Sequence, residues 1–532
     1  MYREEMSSRI AERSDPWDIL IIGGGATGVG IAVDAASRGC DVLLLEQSDF
    51  GKGTSSRSTK LIHGGVRYLQ QGNISLVMEA LRERGILRHN APHLVHDLAF
   101  IVPNYDWWEA PFYGIGLKVY DLLAGRYGFG PSKVLSKDET LGRIPTLKRE
   151  GLRGGIIYYD GQFDDARLLI NLVRTASHQG AALLNYAQVT KMTRSADGYL
   201  NGVIFEDREK DTEQDVRARV IINATGPFTD AVRRLDDPDA SPMIAPSQGV
   251  HLVFNKSFLP GSSAIMVPHT RDGRVMFAIP YLGVTLVGTT DTPISAVDLE
   301  PTAREEEIDF ILETAGAYLE KTPTRADILS VFTGIRPLVK TDGDKSTASL
   351  ARDHTIHISQ SGLLTIAGGK WTTYRQMAKG CVNHAITLAG LEQKPCVTKE
   401  LNIHGFHKTP EKFGEFALYG SDAPAVQNLI RSDPARQERL HPALPARLGE
   451  VIWAVRFEAA RTVDDFLSRR TRSILLNARA AMEAAPRVAA VMAGELGRDR
   501  EWEKKQVASF LDIAKRHLPP VGCRNRNLTL DT

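Results

Sequence analysis

The hydrophobic and polar positions near the start of the chain predict a strand, a turn, a helix and a second strand. Ile19 to Ile22 is a short apolar run, which is typical of a strand buried on both faces. Apolar positions recur at helical spacing from Gly30 to Arg38, and Val42 to Leu45 is a second apolar run that ends at Glu46. Residues 1–17 are polar, and we expect them to form a loose lead-in.

The turn between this strand and this helix has the pattern Gly-x-Gly-x-x-Gly, at residues 23, 25 and 28. One glycine permits a tight turn, a second permits close approach to a pyrophosphate, and a third permits close packing of helix on strand. The helix N-terminus adds unpaired N–H groups and a partial positive charge. Glu46 is placed to accept hydrogen bonds from a ribose diol. The pattern predicts a dinucleotide site; a glycine turn without a ligand is the alternative.

Two later apolar runs also end in turns of small residues. Val220–Asn223 is followed by Ala224-Thr-Gly226, and Leu363–Ala367 is followed by Gly368-Gly369-Lys370. These turns predict two more places where the backbone meets the nucleotide. Strand patterns dominate from about 243 to 292 and favour a largely antiparallel sheet in a separate domain, and beyond residue 412 the pattern is mostly helical.

The stretch from Gly51 to Tyr68 is dense in glycines, hydroxyl side chains and cations. Such a loop offers many N–H and O–H donors to a phosphate, and its glycines allow the backbone to approach closely. It begins just beyond Glu46, so we favour a ligand-binding loop over a solvated surface loop.

Residues 107–123 have two interpretations. Trp107, Trp108 and Tyr113 cluster at the start, and a set of apolar residues then falls on one helical face: Phe112, Ile115, Val119, Leu122 and Leu123. An amphipathic helix at a bilayer interface would have this pattern, because indole rings favour the headgroup level. Periodicity alone favours a helix packed on its own core.

Composition narrows the class of protein. The chain has 532 residues, so we expect two or three domains, and its net charge of +1 gives no general attraction to nucleic acid. The four cysteines are scattered, which argues against a disulfide framework or a structural zinc site and favours a reducing compartment. His89, His93 and His96 lie close in sequence, but Pro92 interrupts their spacing, and we expect no metal. The longest apolar runs are too short for a spanning helix.

Several motifs together resemble the FAD-dependent glycerol-3-phosphate dehydrogenases, the membrane-associated respiratory enzymes of glycerol metabolism. In chain order they are IIGGGATGVGIAVDAASRG, GTSSRSTKLIHGGVRYL, VIINATGPFTD, VGTTDTP, FTGIRPL, LTIAGGKWTTYR and AVRFEAARTVDDFLSRRTR. The first is common to many nucleotide-binding proteins, whereas KLIHGGVRYL, GIRPL and GGKWTTYR are far more specific. The resemblance covers nearly the whole chain.

The resemblance implies an α/β fold with three domains and bound FAD. We expect a Rossmann-like FAD-binding domain in three pieces (15–100, 150–235 and 333–390), a strand-rich (α+β) substrate or cap domain in two (101–149 and 236–332), and an all-α C-terminal domain (395–532). The residues expected to hold FAD are Gly23, Gly25, Ala26, Thr27, Gly28, Glu46, Thr54, Ser55, Ser58, Ala224, Thr225, Gly226, Gly368, Gly369 and Lys370.

The resemblance also implies a substrate pocket in which sn-glycerol 3-phosphate is oxidised to dihydroxyacetone phosphate. Its expected members are Lys60, His63, Arg67, Tyr68, His251, Arg336, Arg352 and Lys370. The hydroxyl proton needs a base with a pKa near neutrality, so His63 and His251 are candidates, and we prefer His63 because its loop also carries the flavin. The alternative for each of these two histidines is a structural role, as a hydrogen-bonded core residue.

The cations of this pocket receive different predicted roles. An arginine fork suits a phosphate, so Arg352 and Arg67 are the expected phosphate ligands. Arg336 is expected near the reacting oxygen, where a fixed positive charge stabilises a developing alkoxide. Lys370 is expected to stabilise the anionic reduced flavin.

In such relatives the electrons pass to ubiquinone or menaquinone, which implies a cytoplasmic protein held peripherally at the cytoplasmic membrane. The sequence is compatible with a homodimer. Four other functions also stay open: a glycerol-3-phosphate oxidase that uses O2, an amine-oxidising relative, a non-catalytic flavin-binding scaffold and an NAD-dependent dehydrogenase. The phosphate-seeking arginines argue against amine oxidation, and the lack of a basic stripe argues against a scaffold for RNA.

Overall fold

The structure is a computed structural model that describes residues 3–65, 73–106, 109–268, 270–271, 273–340 and 354–520, with 109–112 described as backbone alone. The strands are β1 (Trp17–Ile22), β2 (Val42–Leu45), β3 (Leu61–Ile62), β4 (Val95–Asn104), β5 (Lys133–Ser136), β6 (Gly154–Phe163), β7 (Ala182–Leu184), β8 (Ala187–Arg194), β9 (Leu200–Asp207), β10 (Thr212–Asn223), β11 (Ile244–Asn255), β12 (Ser263–Val267), β13 (Met276–Tyr281), β14 (Val284–Gly288), β15 (Thr292–Pro293), β16 (Ile328–Val339), β17 (His354–Ile358) and β18 (Leu364–Gly368). The α-helices are Arg3–Ala11, Ala26–Ser37, Ile74–Asn90, Glu109–Ala124, Lys137–Arg143, Asp165–His178, Thr229–Asp236, Glu305–Tyr318, Tyr374–Leu388, Ala423–Arg431, Pro434–Gln437, Leu448–Phe457, Ser473–Leu476, Ala478–Leu496 and Arg500–Lys515.

The first sheet carries the three predicted glycine turns. Its main path runs β17-β18-β10-β1-β2-β7, and β1 pairs in parallel with both β10 and β2. β10 also pairs in parallel with β18. Since parallel strands bring their carboxyl ends to the same edge of a sheet, the turns that follow β1, β10 and β18 lie together. This is the Rossmann-like arrangement that the sequence predicts.

The second sheet is larger and mixed. Its main path runs β15-β11-β14-β13-β12-β4-β6-β3, with β16 paired to β11 and β5 paired to β6. β4 and β6 pair along their whole length, from Val95 opposite Phe163 to Asn104 opposite Gly154. We expected this strand-rich part of the molecule to consist of residues 101–149 and 236–332. The pairing also places in its sheet β3, most of β4 and all of β6, which the sequence interpretation assigned to the FAD-binding domain. Apolar alternation marks a strand but does not reveal its neighbour, so the domain boundaries stay a proposal.

The polar N-terminal residues differ from the loose lead-in that we expected. Arg3–Ala11 is a helix that buries Met6 and Ile10. Arg3 itself is buried, because its guanidinium bonds Asp207 Oδ1 at 2.8 Å and the Asn185 carbonyl oxygen at 3.0 Å. These partners are about 200 positions away in sequence, so a local reading could not find them.

The C-terminal helices form an all-α unit that is joined to the first sheet by buried ion pairs. We call the set Arg167–Glu458, Arg470–Asp49 and Arg472–Asp164 the ion-pair seam. Arg167 donates two hydrogen bonds to Glu458, at 2.8 and 2.7 Å. Arg470 bonds Asp49 at 2.6 and 2.9 Å, and Arg472 Nε bonds Asp164 at 3.0 Å. The six side chains are at most 3% exposed, so each charge depends on its partner.

We expect Arg167→Ala to destabilise the docked C-terminal unit by about 3–5 kcal/mol, because it leaves the buried Glu458 carboxylate without its partner. Trp453 donates to the same carboxylate at 3.1 Å, so its fluorescence should report the loss in a denaturant titration. Burial works to raise the pKa of Glu458, but Arg167 outweighs it and leaves that pKa below its ordinary value. The contribution is therefore complete above about pH 4.3 and is lost as the pH falls through the depressed pKa.

Arg487→Ala is the matched control. Arg487 pairs with Glu438 in the same unit, but the two side chains are 45% and 59% exposed. Its loss should cost at most about 1 kcal/mol. Equal destabilisation by the two substitutions would contradict the role given to the seam.

Candidate active site

A cavity of about 550 Å³ lies at the carboxyl edge of the first sheet, and we call it the glycine cavity. The turns after β1, β10 and β18 form its walls, together with the loop after β2. The predicted FAD-binding residues that line it are Gly23, Gly25, Ala26, Thr27, Glu46, Thr54, Ser55, Ala224, Thr225, Gly226, Gly368, Gly369 and Lys370. The structure thus brings together three turns and one loop that are far apart in sequence.

Two glycines in the first turn are required by packing. A Cβ at Gly28 would lie 1.9 Å from the Gly23 carbonyl oxygen, and a Cβ at Gly23 would lie 2.7 Å from the Ala224 carbonyl oxygen. Gly23 also has a φ of 112°, which favours glycine. Gly28 does not line the cavity; it allows the helix to pack against the turn.

Glu46 and Ser55 hold the loop after β2 against the glycine turn. Glu46 accepts hydrogen bonds from the backbone N–H groups of Gly24, at 2.6 Å, and Ser48, at 2.9 Å. Burial raises the pKa of Glu46, and these two bonds offset part of the rise. Ser55 Oγ accepts from Ala26 N at 2.9 Å, at the start of the helix, and the Trp371 indole donates to the Ser55 carbonyl oxygen at 2.9 Å. The loop and two of the turns are therefore fixed relative to one another.

A second cavity of about 340 Å³ adjoins the first, and we call it the arginine cavity. The two share the wall formed by Thr54, Pro337 and residues 368–371. All four residues predicted to be catalytic line the arginine cavity: His63, His251, Arg336 and Lys370. Lys370 lines both cavities, at the place where a ligand of one would meet a ligand of the other.

His251 is held in a fixed orientation. Its ring stacks on Phe332 with centroids 4.6 Å apart, and its Nε2 lies 3.0 Å from the Thr59 hydroxyl. Burial, together with the charges of Lys60 and Arg336, lowers the pKa of His251 well below its ordinary value. His251 is therefore neutral at physiological pH. His63 is less buried, and its ring lies 6.3 Å from that of Phe277.

Arg336 is held by the residues that follow β14. Its guanidinium lies 3.1 Å from Asp291 Oδ1 and donates to the Thr290 carbonyl oxygen at 2.9 Å. On the opposing strand a Cβ at Gly249 would lie 2.4 Å from Arg336 Nη2, so glycine leaves room for the guanidinium. The Thr289-Thr-Asp291 motif thus fixes a cation at the cavity wall.

The structure differs from the sequence interpretation at Lys60 and Ser58. The Lys60 side chain is fully buried, with Nζ 2.7 Å from Asp165 and 2.7 Å from the Ser56 carbonyl oxygen. Burial lowers the pKa of Lys60, partly offset by Asp165, and Lys60 is absent from the wall of the arginine cavity. Ser58, expected to hold FAD, lines the arginine cavity and donates to Asp165 at 2.7 Å.

Three predicted residues lie outside the part of the chain that the structure describes: Arg67, Tyr68 and Arg352. Two arginines that the sequence interpretation did not select, Arg57 and Arg274, line the arginine cavity. The sequence Asp-Gly at 272–273 is a typical turn signal within the strand-rich stretch 243–292, and it was the available sequence signal next to Arg274. Within the described ranges, three or more His, Cys, Asp or Glu side chains nowhere cluster in a way that could hold a metal ion.

Comparison with known families agrees with the geometry. A family model described as FAD dependent oxidoreductase matches residues 18–375, and one described as the C-terminal domain of alpha-glycerophosphate oxidase matches residues 381–503. The human mitochondrial glycerol-3-phosphate dehydrogenase is 41% identical, over 95% of this chain and 74% of that protein. The mitochondrial glycerol-3-phosphate dehydrogenase of Arabidopsis thaliana is 40% identical, over 97% of this chain and 88% of that protein.

Solved structures give the same result. The glycerol-3-phosphate dehydrogenase from Bacillus halodurans, in complex with FAD, superposes with a TM-score of 0.80 at 30% identity, over 98% of each chain. The L-alpha-glycerophosphate oxidase from Mycoplasma pneumoniae has a TM-score of 0.55 at 19% identity, over 73% of this chain and 99% of that one, which shows a shared fold. From the family models and the relatives together, this chain belongs to the FAD-dependent glycerol-3-phosphate dehydrogenase family.

Proposed function

We propose that this chain oxidises sn-glycerol 3-phosphate to dihydroxyacetone phosphate with FAD, and that the electrons then pass to a membrane quinone, ubiquinone or menaquinone. The observation that carries the proposal is the wall shared by the two cavities. It sets the glycine cavity beside a cavity with four cationic side chains, Arg57, Arg274, Arg336 and Lys370. A small anionic substrate would bind in the arginine cavity, where it would contact the cofactor bound in the glycine cavity.

The glycine cavity fits FAD. A Cβ at Gly25 would lie 3.2 Å from Ser55 Oγ, so glycine keeps open the space at the helix N-terminus where a pyrophosphate binds. Gly23, Gly25 and Thr54 would hold the phosphates, Glu46 the ribose, and Lys370 the end that faces the arginine cavity. When bound, the flavin supplies the acceptor for the hydride that leaves the substrate carbon.

The protein residues orient the substrate and move its hydroxyl proton. We assign His63 as the base that accepts this proton, and the neutral His251 as a hydrogen-bonding partner of the substrate. Arg336 would stabilise negative charge on the reacting oxygen, because Asp291 and the Thr290 carbonyl oxygen already fix its direction. Arg67, Tyr68 and Arg352 remain proposed substrate ligands on the strength of the motif resemblance.

Contact with a membrane surface is the second part of the proposal. In the helix Glu109–Ala124, Tyr113, Leu117 and Tyr120 pack inward, whereas Ile115 and Leu122 are 69% and 80% exposed. Val119 on the same helix is also exposed, as are Ile74, Met78 and Val134 on two elements that contact this helix, the helix Ile74–Asn90 and β5. We call these four residues, together with Ile115 and Leu122, the apolar patch. Of the described helices, none combines the length and the apolarity that crossing a bilayer would need. An apolar patch flanked by Lys118, Arg126 and Lys133 suits the interface of an anionic bilayer.

An oxidase that gives its electrons to O2 is the second candidate, because the C-terminal family model takes its description from a glycerophosphate oxidase. We expect glycerol 3-phosphate to bleach the flavin of the purified protein under anaerobic conditions, and a short-chain ubiquinone analogue to reoxidise it faster than air-saturated buffer does. The measurement is flavin absorbance near about 450 nm in a stopped-flow instrument.

Three outcomes of this experiment separate the candidates. Bleaching followed by fast quinone reoxidation supports the dehydrogenase. Fast reoxidation by O2 with release of peroxide supports the oxidase. A yellow protein that glycerol 3-phosphate leaves unbleached would contradict both, and would leave the amine-oxidising relative and the non-catalytic flavin-binding scaffold.

We expect His63→Ala to slow flavin reduction at saturating glycerol 3-phosphate by about 10²-fold or more, because general-base catalysis is lost. His89→Ala is the control, since His89 is exposed on the helix Ile74–Asn90 and lies away from the cavity wall. A reduction rate for His63→Ala equal to that of the wild type would place the base elsewhere.

We expect the double variant Ile115→Asp, Leu122→Asp to lose co-sedimentation with vesicles of mixed neutral and anionic lipids, because it puts charge on the apolar patch. Flavin bleaching by glycerol 3-phosphate should stay unchanged, since both side chains point to solvent. Leu388→Asp is the control, as Leu388 is 43% exposed on a different helix. Undiminished vesicle binding of the double variant would exclude the patch as the contact.

A further inference from the structure

One residue of the glycine cavity comes from a connection within the other part of the molecule. Residues 294–304 join β15 to the helix Glu305–Tyr318 in irregular conformation, and we call them the crossing segment. Near its two ends, Ile294 N and the Thr302 carbonyl oxygen bond residues of β11, at 3.1 and 3.3 Å. Leu299, between these points, lines the glycine cavity. The crossing segment therefore reaches from the second sheet to the cavity at the edge of the first.

Glu300, next to Leu299, ties the crossing segment to the loop after β2. Its carboxylate lies 2.8 Å from Lys52 Nζ and 2.5 Å from Arg57 Nη2, with one oxygen facing each cation. Burial works to raise the pKa of Glu300, but Arg57 and Lys52 outweigh it and hold that pKa below its ordinary value. The carboxylate is therefore charged at neutral pH. Lys52 itself lines the glycine cavity, so the ion pair is made at the cavity wall.

The groups around Glu300 have further partners that fix them in turn. Lys52 also pairs with Asp464 of the C-terminal unit at 2.8 Å, and Arg57 Nη1 donates to a backbone carbonyl oxygen of β16 at 3.4 Å. Arg516, just after the last described helix, donates to the Glu300 carbonyl oxygen at 2.9 Å. The four ion-paired side chains are at most 14% exposed, so these pairs are only weakly screened by solvent. The backbone beside Leu299 is thus bonded to the loop and to the C-terminal unit.

We propose that Leu299 is a further FAD-binding residue and that Glu300 is the positioning residue that holds it at the glycine cavity. Leu299 is half-buried, so a cofactor that covers it removes more of its apolar surface from water, which favours the bound state. This inference rests on the FAD site of the proposed function. The competing role is structural: Glu300 would only pair the cations Lys52 and Arg57 of the loop, and Leu299 would not contact the cofactor.

The test measures how fast FAD leaves the full-length protein and needs no turnover. The protein is loaded with radiolabelled FAD and mixed with a large excess of unlabelled FAD, and the label that stays on the protein is followed with time. We expect Leu299→Ala and Glu300→Gln each to raise the rate constant for FAD release about 3- to 10-fold, because a lost apolar contact acts mainly on dissociation.

Each variant has a matched control that should release FAD at the wild-type rate. Val297→Ala is the control for Leu299→Ala, because Val297 belongs to the crossing segment but is not part of the cavity wall. Glu305→Gln is the control for Glu300→Gln, because Glu305 pairs with Arg325 just beyond the crossing segment and its side chain is 51% exposed.

The double variant separates positioning from the structural role. If Glu300 acts through Leu299, the double variant should release FAD at most about twice as fast as the faster single variant. Effects that multiply would show that Glu300 acts on the loop independently and would overturn its positioning role. Wild-type release from Leu299→Ala would overturn the proposal as a whole, and this variant keeps every ion pair, so it decides the matter even where Glu300→Gln does not fold. Failure of the proposed function is seen separately, as a wild-type flavin that glycerol 3-phosphate does not bleach.

Discussion

Both cavities depend on one loop, residues 49–60, which is held at its two ends by buried ion pairs. At its start, Asp49 accepts from Arg469 at 2.5 Å and from Arg470 at 2.6 Å. At its end, Asp165 accepts from Lys60 at 2.7 Å and from Ser58 at 2.7 Å. Between these anchors, Ser55 faces the glycine cavity and Thr59 bonds His251 of the arginine cavity. Because an unpaired buried charge is costly, the anchors leave the loop little freedom to move.

This arrangement gives the C-terminal helices a role that their own sequence does not suggest. Arg469, Arg470 and Arg472 follow one another closely, and each reaches across to the first domain. Arg472 bonds Asp164, which caps the helix that begins at Asp165. The C-terminal unit therefore supports both ends of the loop: directly at Asp49 and, through this helix, at Lys60. Its contribution to the site is to fix the loop, without lining either cavity.

The contrast between Gly23 and Lys60 shows what could be predicted from the sequence. The glycine turn, Glu46 and the turns after β10 and β18 are local patterns, and the parallel sheet brings them together, so these walls of the glycine cavity could be predicted. The lining residues 187–190, on β8, carry no such pattern. Lys60 lies in a motif that implies substrate contact, yet it bonds Asp165, 105 residues away. Arg3 and Arg274 were missed for the same physical reason. The role of a charged side chain depends on its partner, and local sequence spacing does not reveal a partner that is distant in the chain.

The helix Glu109–Ala124 links the proposed membrane surface to the proposed base. Its outer face carries Ile115 and Leu122, which are exposed, while Tyr120 on its inner face is buried. The Tyr120 hydroxyl accepts from Gly64 N at 2.9 Å and donates to Asp160 at 2.7 Å, and Gly64 directly follows His63. Asp160 lines the arginine cavity. A bilayer that contacts the outer face would therefore contact the same helix whose inner face fixes the backbone next to His63.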